Sequence, residues 1–267
     1  KYTDSDNGKK INGTGEDDIK LPGNSHNISW VSLSQDLNGD NSINAVIADN
    51  LTNVAFVGNG RIITRDDNEK GISITDKDNA DLGALVNNIG KDTDDNNKDP
   101  NFNIISGLVM DLNINTTDLT LTAPAPSNLA PTFGGVVGRV SGNSFVYGVG
   151  VKGSLSIGGT GFPLQLAGLV GTLYSGLIDQ CYVDADITYR AGEKDDSSIA
   201  GAVAFVHGDY NSIIRSTYTS GRLETYADIG MYTFARRENK SAGIGSRANW
   251  IIDCYSISQI KRNNALN

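Results

Sequence analysis

Small or aliphatic residues alternate with polar ones over short stretches of this chain, and a period of two marks half-buried β-strands. "VGVKGSL" from Val149, "CYVDADI" from Cys181, "TYTSGRL" from Thr217 and "CYSISQI" from Cys254 can be laid over one another in phase. One parity then runs Val149, Val151, Gly153, Leu155; Cys181, Val183, Ala185, Ile187; Thr217, Thr219, Gly221, Leu223; Cys254, Ser256, Ser258, Ile260. These side chains suit a narrow interior. The other parity carries Lys152, Asp184, Asp186, Arg222 and Gln259, which suit solvent.

Each run follows a glycine-rich phrase: "GGVVG" from Gly134, "AGLVG" from Ala167, "AGAVA" from Ala200 and "AGIGS" from Ala242. The second residues, Gly135, Gly168, Gly201 and Gly243, are spaced by 33, 33 and 42. Strands recurring at such intervals imply coils that cannot bury their apolar face alone and stack at about 4.8 Å to do so. The expected fold is all-β, a right-handed parallel β-helix (solenoid) with irregular long loops. Upstream, "NLTNVAFVGNGRIIT" (Asn50 to Thr64) reads as a strand, a Gly-Asn-Gly turn and a second strand. "GISIT" from Gly71 and "NIISGLVMDLNIN" from Asn103 add short strands. "ADLGALVNNI" (Ala80 to Ile89) is the one segment whose pattern admits an amphipathic helix. Residues 1–30 read as an N-terminal cap or disordered lead, and 31–267 as a single β-helix domain with the repeats in about 133–260.

The 267 residues suffice for one large all-β domain. Abundant glycine (31 residues), asparagine and aspartate favour tight turns over long helices. A net charge of −9 argues against nucleic acid or an anionic membrane surface as partner. No apolar run approaches the ~20 residues that span a bilayer. The opening Lys1 fits a mature product or an excised fragment.

The glycine phrase followed by the second run resembles the GLUG motif, "GGLVG…SG.I.NCY..G.V", a short repeat of large bacterial surface proteins. "AGLVG…SGLIDQCYVDADI" fits it best, and "GGVVGRVSGNSFVYGVGVKG" fits without the Cys-Tyr pair. The third copy keeps Tyr218 but has Thr217 for the cysteine, and the fourth lacks the last glycine of the first half. The likeness covers about half the chain, Phe133 to Ile260. "NVAFVGNGRI" is similar to a phrase of pectin-lyase-like β-helices. The resemblance implies a secreted or bacterial cell-surface adhesin module, one part of a larger surface protein. It also brings in the non-catalytic parts of IgA-cleaving metallopeptidases. His26 and His207 do not form the His-Glu-x-x-His such a peptidase needs.

Candidate chemistry is sparse. "GTGF" at Gly159 lacks the following helix and lysine of a phosphate loop, and four related glycine phrases are explained by structure. Two rungs separate Cys181 from Cys254, about 10 Å, beyond disulfide reach, so both are expected as buried free thiols. Tyr182, Tyr218 and Tyr255 point away from the interior and would form an aromatic ladder, either a sugar-binding face or a cross-strand brace. "DLNGDNSIN" resembles a calcium loop, with oxygen ligands at Asp36, Asn38, Asp40 and Ser42; Asn41 and Ile47 stand where an EF-hand needs glycine and an acid. Asp179, Asp184, Asp186 and Asp253, with Lys152, Arg190, Arg215 and Arg222, are the groups a polysaccharide lyase or hydrolase could recruit, though no compact motif selects them.

The expected function is therefore display without catalysis. A rigid β-helix presents loops and outward side chains to an extracellular or host-surface glycan or protein, with Ca2+ as a candidate cofactor. The Asp/Asn-rich loops between Arg65 and Pro100 are the first candidates for recognition. A polysaccharide-active enzyme and a passive stalk are the alternatives.

Overall fold

The computed structural model describes residues 14–15, 29–33, 37–39, 48–52, 54–66, 72–73, 81–90, 107–123, 132–159, 164–190, 197–207, 212–237 and 249–263. These form three sheets. A short sheet stacks Asp81–Gly83, Thr132–Gly134, Gln165–Ala167, Ser198–Ala200 and Gly230–Tyr232. A middle sheet stacks Ala48–Leu51, Val86–Ile89, Val137–Val140, Val170–Leu173, Val203–Val206 and Ala235–Arg237. A long sheet holds fifteen strands, among them Val54–Asp66, Leu108–Ala123, Ser144–Gly159 and Tyr182–Tyr189. Five successive turns each supply a short, a middle and a long run, and their pairing is parallel. The chain is a parallel β-solenoid.

Register follows from side-chain identity. Phe133 pairs with Leu82 on one side and Leu166 on the other. Val151 pairs with Val183, Leu155 with Ile187, and Ile187 with Leu223. Like side chains stack because a slip of one residue would turn every buried one outward. Two apolar columns result. Val137, Val140, Val149, Val151, Cys181 and Val183 lie between the middle sheet and the first half of the long sheet. Phe133, Leu155, Ile157, Leu166, Ile187 and Tyr189 lie between the short sheet and the second half. Each aliphatic side chain fully buried this way contributes about 1.5–3 kcal/mol.

The glycine phrase is the corner between the short and middle runs. Gly168 lies so close to the long sheet that a Cβ there would overlap Val183 and sit 2.6 Å from the Gly201 carbonyl oxygen. At Gly201 it would lie 3.0 Å from Thr219 Cβ. The corner is bound turn to turn by one carbonyl that accepts two N–H groups. Val136 and Val137 both donate to Leu169 O, at 3.0 and 3.2 Å. Leu169 and Val170 donate to Ala202 O, and Ala202 and Val203 to Phe234 O.

A second recurrent feature kinks the long sheet. Asp111, Gly148, Gln180, Ser216 and Asp253 have φ of 52°, 62°, 53°, 47° and 51°, and each follows a residue of one cross-strand row, Met110, Tyr147, Asp179, Arg215 and Ile252. The left-handed residue resets the alternation, so that Val146 and Val149, three apart, both face the core.

Three sequence expectations are corrected. "ADLGALVNNI" is no helix: Asp81–Gly83 and Val86–Ile89 are the short and middle runs of an earlier turn, with Ala84 at the corner. Among the described residues the last corner is Gly230–Arg237, which precedes the run at Cys254, and "AGIGS" at Ala242 lies outside them. Val54–Asp66 is one strand, with its ladder irregular between Val57 and Arg61 at the left-handed Asn59 and Gly60, where a turn was expected. Both of its halves stay in the long sheet, so the pair acts as a bulge.

Substitution at the corner and at the kink should move stability in opposite directions. Gly168→Ala is expected to lower unfolding free energy by about 2 kcal/mol through overpacking. Gln180→Gly is expected to raise it by up to about 1 kcal/mol, the relieved left-handed strain less the greater freedom of the unfolded chain. Urea denaturation of both variants beside the parent checks this.

Candidate functional site

The outer face of the long sheet holds the tyrosine ladder. Tyr182 pairs with Tyr218 and Tyr218 with Tyr255. Their rings stack with centroids 5.5 and 5.3 Å apart and planes within 12° and 6° of parallel. The row begins where Gly150 has no side chain: a Cβ there would run into the Tyr182 ring. Tyr182 leans over that gap and its hydroxyl donates to Asn113 Oδ1 at 2.8 Å. Lys152 Nζ lies 5.7 Å from the centroid of the same ring. The faces of Tyr218 are taken by its neighbours on both sides, so the row shows solvent its edges and hydroxyls. Tyr255 is exposed. Burial raises the Tyr182 pKa, with Asp184 adding to it; burial also raises that of Tyr218, with Tyr182 and Tyr255 adding.

Beside the ladder, charged residues are paired from turn to turn. Ser220 Oγ donates to Asp184 Oδ1 at 2.8 Å. Arg222 donates to Asp186 through its backbone N–H and its guanidinium, at 2.9 and 3.2 Å. Asp179, almost fully covered, is bound by Arg215 at 2.5 Å, which raises the arginine pKa. Three of the carboxylates considered for an enzyme are thus each bonded to a cross-strand neighbour, while Asp253 occupies the kink.

Glu224 is the most constrained acid on this face. Asn263 Nδ2, Lys261 Nζ and the Tyr226 hydroxyl donate to its Oε1 at 2.6, 2.9 and 3.2 Å. The Lys261 hydrogen bond first, then that of Asn263, hold its pKa down at about 2. This acid anchors the last turn, Gln259–Arg262, to the one before.

Of the proposed calcium ligands, Asp36, Asp40 and Ser42 lie outside the described residues. Asn38 stands in a three-residue strand, Leu37–Gly39, paired in parallel with Ile63–Arg65. Among the described residues no group of three or more His, Cys, Asp or Glu is placed to share a metal ion. Most of the Arg65–Pro100 window lies outside the described residues, apart from Arg65 and Asp66, Ile72–Ser73 and the corner segment 81–90. Both cysteines are free; Cys181 is buried and Cys254 only half-buried, since no described strand covers it.

Sequence reasoning missed a polar cluster at the outer corner between the short and middle sheets. Asp81 Oδ1 accepts from Thr132 and Thr172 hydroxyls at 2.5 and 2.7 Å, and Arg139 lies 3.8 Å from Oδ2. The Arg139 guanidinium covers Tyr174 at 4.0 Å, and Tyr174 stacks on His207 at 4.6 Å. Its sequence signal is a polar residue opening four of the five short runs, Asp81, Thr132, Gln165 and Ser198.

The chain matches no protein-family model, no curated protein and no solved structure. The likeness to GLUG repeats rests on the quoted residues alone. The parallel β-solenoid itself stands on the strand pairing.

Two measurements follow from this geometry. Burial pushes the Cys181 thiol up to about 12 and also raises Cys254. Because the thiolate is the reactive form, a thiol reagent at pH 8 should modify Cys254 slowly in the folded protein and Cys181 only after unfolding. Counting modified thiols before and after denaturant checks it. Glu224 has a lowered pKa, so its contribution is present above the ordinary 4.5 and is lost as pH falls toward about 2. Trp250 fluorescence should report loosening of the last turn across that window, and Glu224→Gln should remove the acid step.

Proposed function

We propose that this chain is a non-catalytic binding module of a secreted or bacterial cell-surface protein, an adhesin that holds an extracellular glycan along its long sheet. The supporting observation is the Tyr182–Tyr218–Tyr255 row, stacked in register on the outer face of the long sheet and flanked by Lys152, Asp184 and Ser220. Ring edges offer apolar area, while hydroxyls and paired charges offer hydrogen bonds at the spacing of the turns. A polymer lying along the solenoid axis would meet the same groups on each turn, and weak contacts repeated this way add by multivalency.

The test is retention of the purified chain on a broad glycan array, first with calcium and then with chelator. Retention that drops at least about tenfold with Tyr255→Ala, a loss of ~1.4 kcal/mol, is expected. Tyr255 is exposed, so its truncation leaves the fold intact. Retention lost only with chelator would move the site to the Asp36–Ser42 segment. No retention in either condition would sink the glycan form of this proposal and leave a protein ligand or a passive stalk.

A further inference from the structure

One acid on the outer face of the long sheet leaves half of its hydrogen-bonding capacity unused. Ile178 lies in the core, so alternation turns Asp179 outward, in one cross-strand row with Tyr147 and Arg215. It stands three residues before Tyr182, across the kink at Gln180. Arg215 Nη2 donates to its Oδ2. Its Oδ1 is buried and is the one such carboxylate oxygen among the described residues with no hydrogen-bond partner. Only 2 % of the side chain is exposed. A buried carboxylate oxygen without a donor keeps the full cost of its desolvation. The other acids of this face are better served. Ser220 donates to Asp184, Arg222 to Asp186, and three groups to Glu224.

The guanidinium beside it shows the reverse. Half of the Arg215 side chain is in solvent, and among the described residues its one hydrogen bond is that from Nη2. A guanidinium carries five N–H donors. An acceptor without a donor therefore lies next to donors without an acceptor. Adjacent sugar hydroxyls, which both give and take hydrogen bonds, complete the two together. A ligand carboxylate or sulfate has no proton for Oδ1 and meets its negative charge. The rest of the face is electrically balanced. Lys152 pairs across strands with Asp184, Arg222 with Asp186 and Lys261 with Glu224, so no net field draws an ion to it.

We infer, resting on the glycan reading above, that the polymer held by this face is uncharged and that Asp179 and Arg215 select it. Asp179 Oδ1 accepts one sugar hydroxyl, and the remaining N–H groups of Arg215 donate to the oxygen beside it. Tyr147 and Arg215, both exposed, are the side chains that part to admit the ligand. The tyrosine row supports the polymer and the ion pair discriminates among polymers.

The probes are immobilised β-glucan, mannan and galactan, all uncharged, beside polygalacturonate and hyaluronate. The intact chain should be retained by at least one of the first three, equally at low and high salt because no charge on the ligand is screened, and by neither acidic polymer. Asp179→Asn keeps the side chain's size and still accepts from Arg215; it should cut retention at least about tenfold. Arg215→Lys keeps the charge without the planar fork of donors and should also cut retention. Asp228→Asn weakens an exposed ion pair with Arg262, between the long and short runs, and should leave retention unchanged. Retention is read well below each variant's thermal midpoint, where a purely structural role would not move it. Should Asp179→Asn not fold, Arg215→Lys, at an exposed position, decides alone. Preference for the acidic polymers, or neutral retention indifferent to Asp179→Asn and Arg215→Lys, would overturn this inference and leave the glycan reading in place. Retention by none of the polymers would overturn both.

Discussion

Parallel pairing in register is the constraint on which the rest of this molecule depends. Each turn must repeat the backbone path of its neighbours, because its hydrogen bonds go to them. A deviation at one turn would propagate or leave polar groups unpaired. The kinked row shows the force of this requirement. Gln180 and Ser216 hold left-handed φ that glycine or asparagine takes more easily, in line with Gly148 and Asp111 in neighbouring turns. Gln180 N–H reaches Arg215 O and Ser216 N–H reaches Ile252 O, so strain at one residue is balanced by hydrogen bonds to the next turn. The corner works similarly, with one carbonyl serving two N–H groups at each level.

The same constraint explains what could be read from the sequence. In the long sheet, stacking keeps side chains in columns, and the alternation of Cys181, Val183, Ala185 and Ile187 gave their facing correctly. The tyrosine row followed from it by parity. The corner was harder to read. There the chain turns between two runs that both face inward, so buried positions fall at Phe133, Val136, Val137 and Val140, three, four and seven residues on from the first. This is helical spacing produced without a helix. Where glycine marks the corner the repeat is visible. Where Ala84 replaces it, in Leu82, Leu85, Val86 and Ile89, the same spacing suggests a helix. The last corner among the described residues, Gly230 to Arg237, has no glycine at its turn, and the local pattern does not mark it.

Polar contacts between turns were the least legible. Asp81 meets Thr132 and Thr172 across 51 and 91 residues, and no local pattern announces such a meeting. The Asp179–Arg215 and Asp186–Arg222 pairs, each 36 residues apart, become readable only once the register is known. For a solenoid, the informative step is to align turns first and then look across rows, where an acid above a base or a ring above a ring has physical meaning.

The interior also changes in character along the axis. Val151 and Val183 give way to Thr219 and then Ser256 in one column, while Val149 gives way to Cys181, Thr217 and Cys254 in another. The Thr219 and Ser256 hydroxyls lie 2.7 Å apart and 2.8 and 3.1 Å from Thr233 O, so one donates to its neighbour and that neighbour to the carbonyl. Hydroxyls satisfied inside a column tolerate proximity to water better than valines do, so this side of the core becomes more polar as it nears the last turn. Its apolar character there is carried instead by Ile251 and Ile260 at the flanks and by Trp250, Ile252 and Ile257 outside.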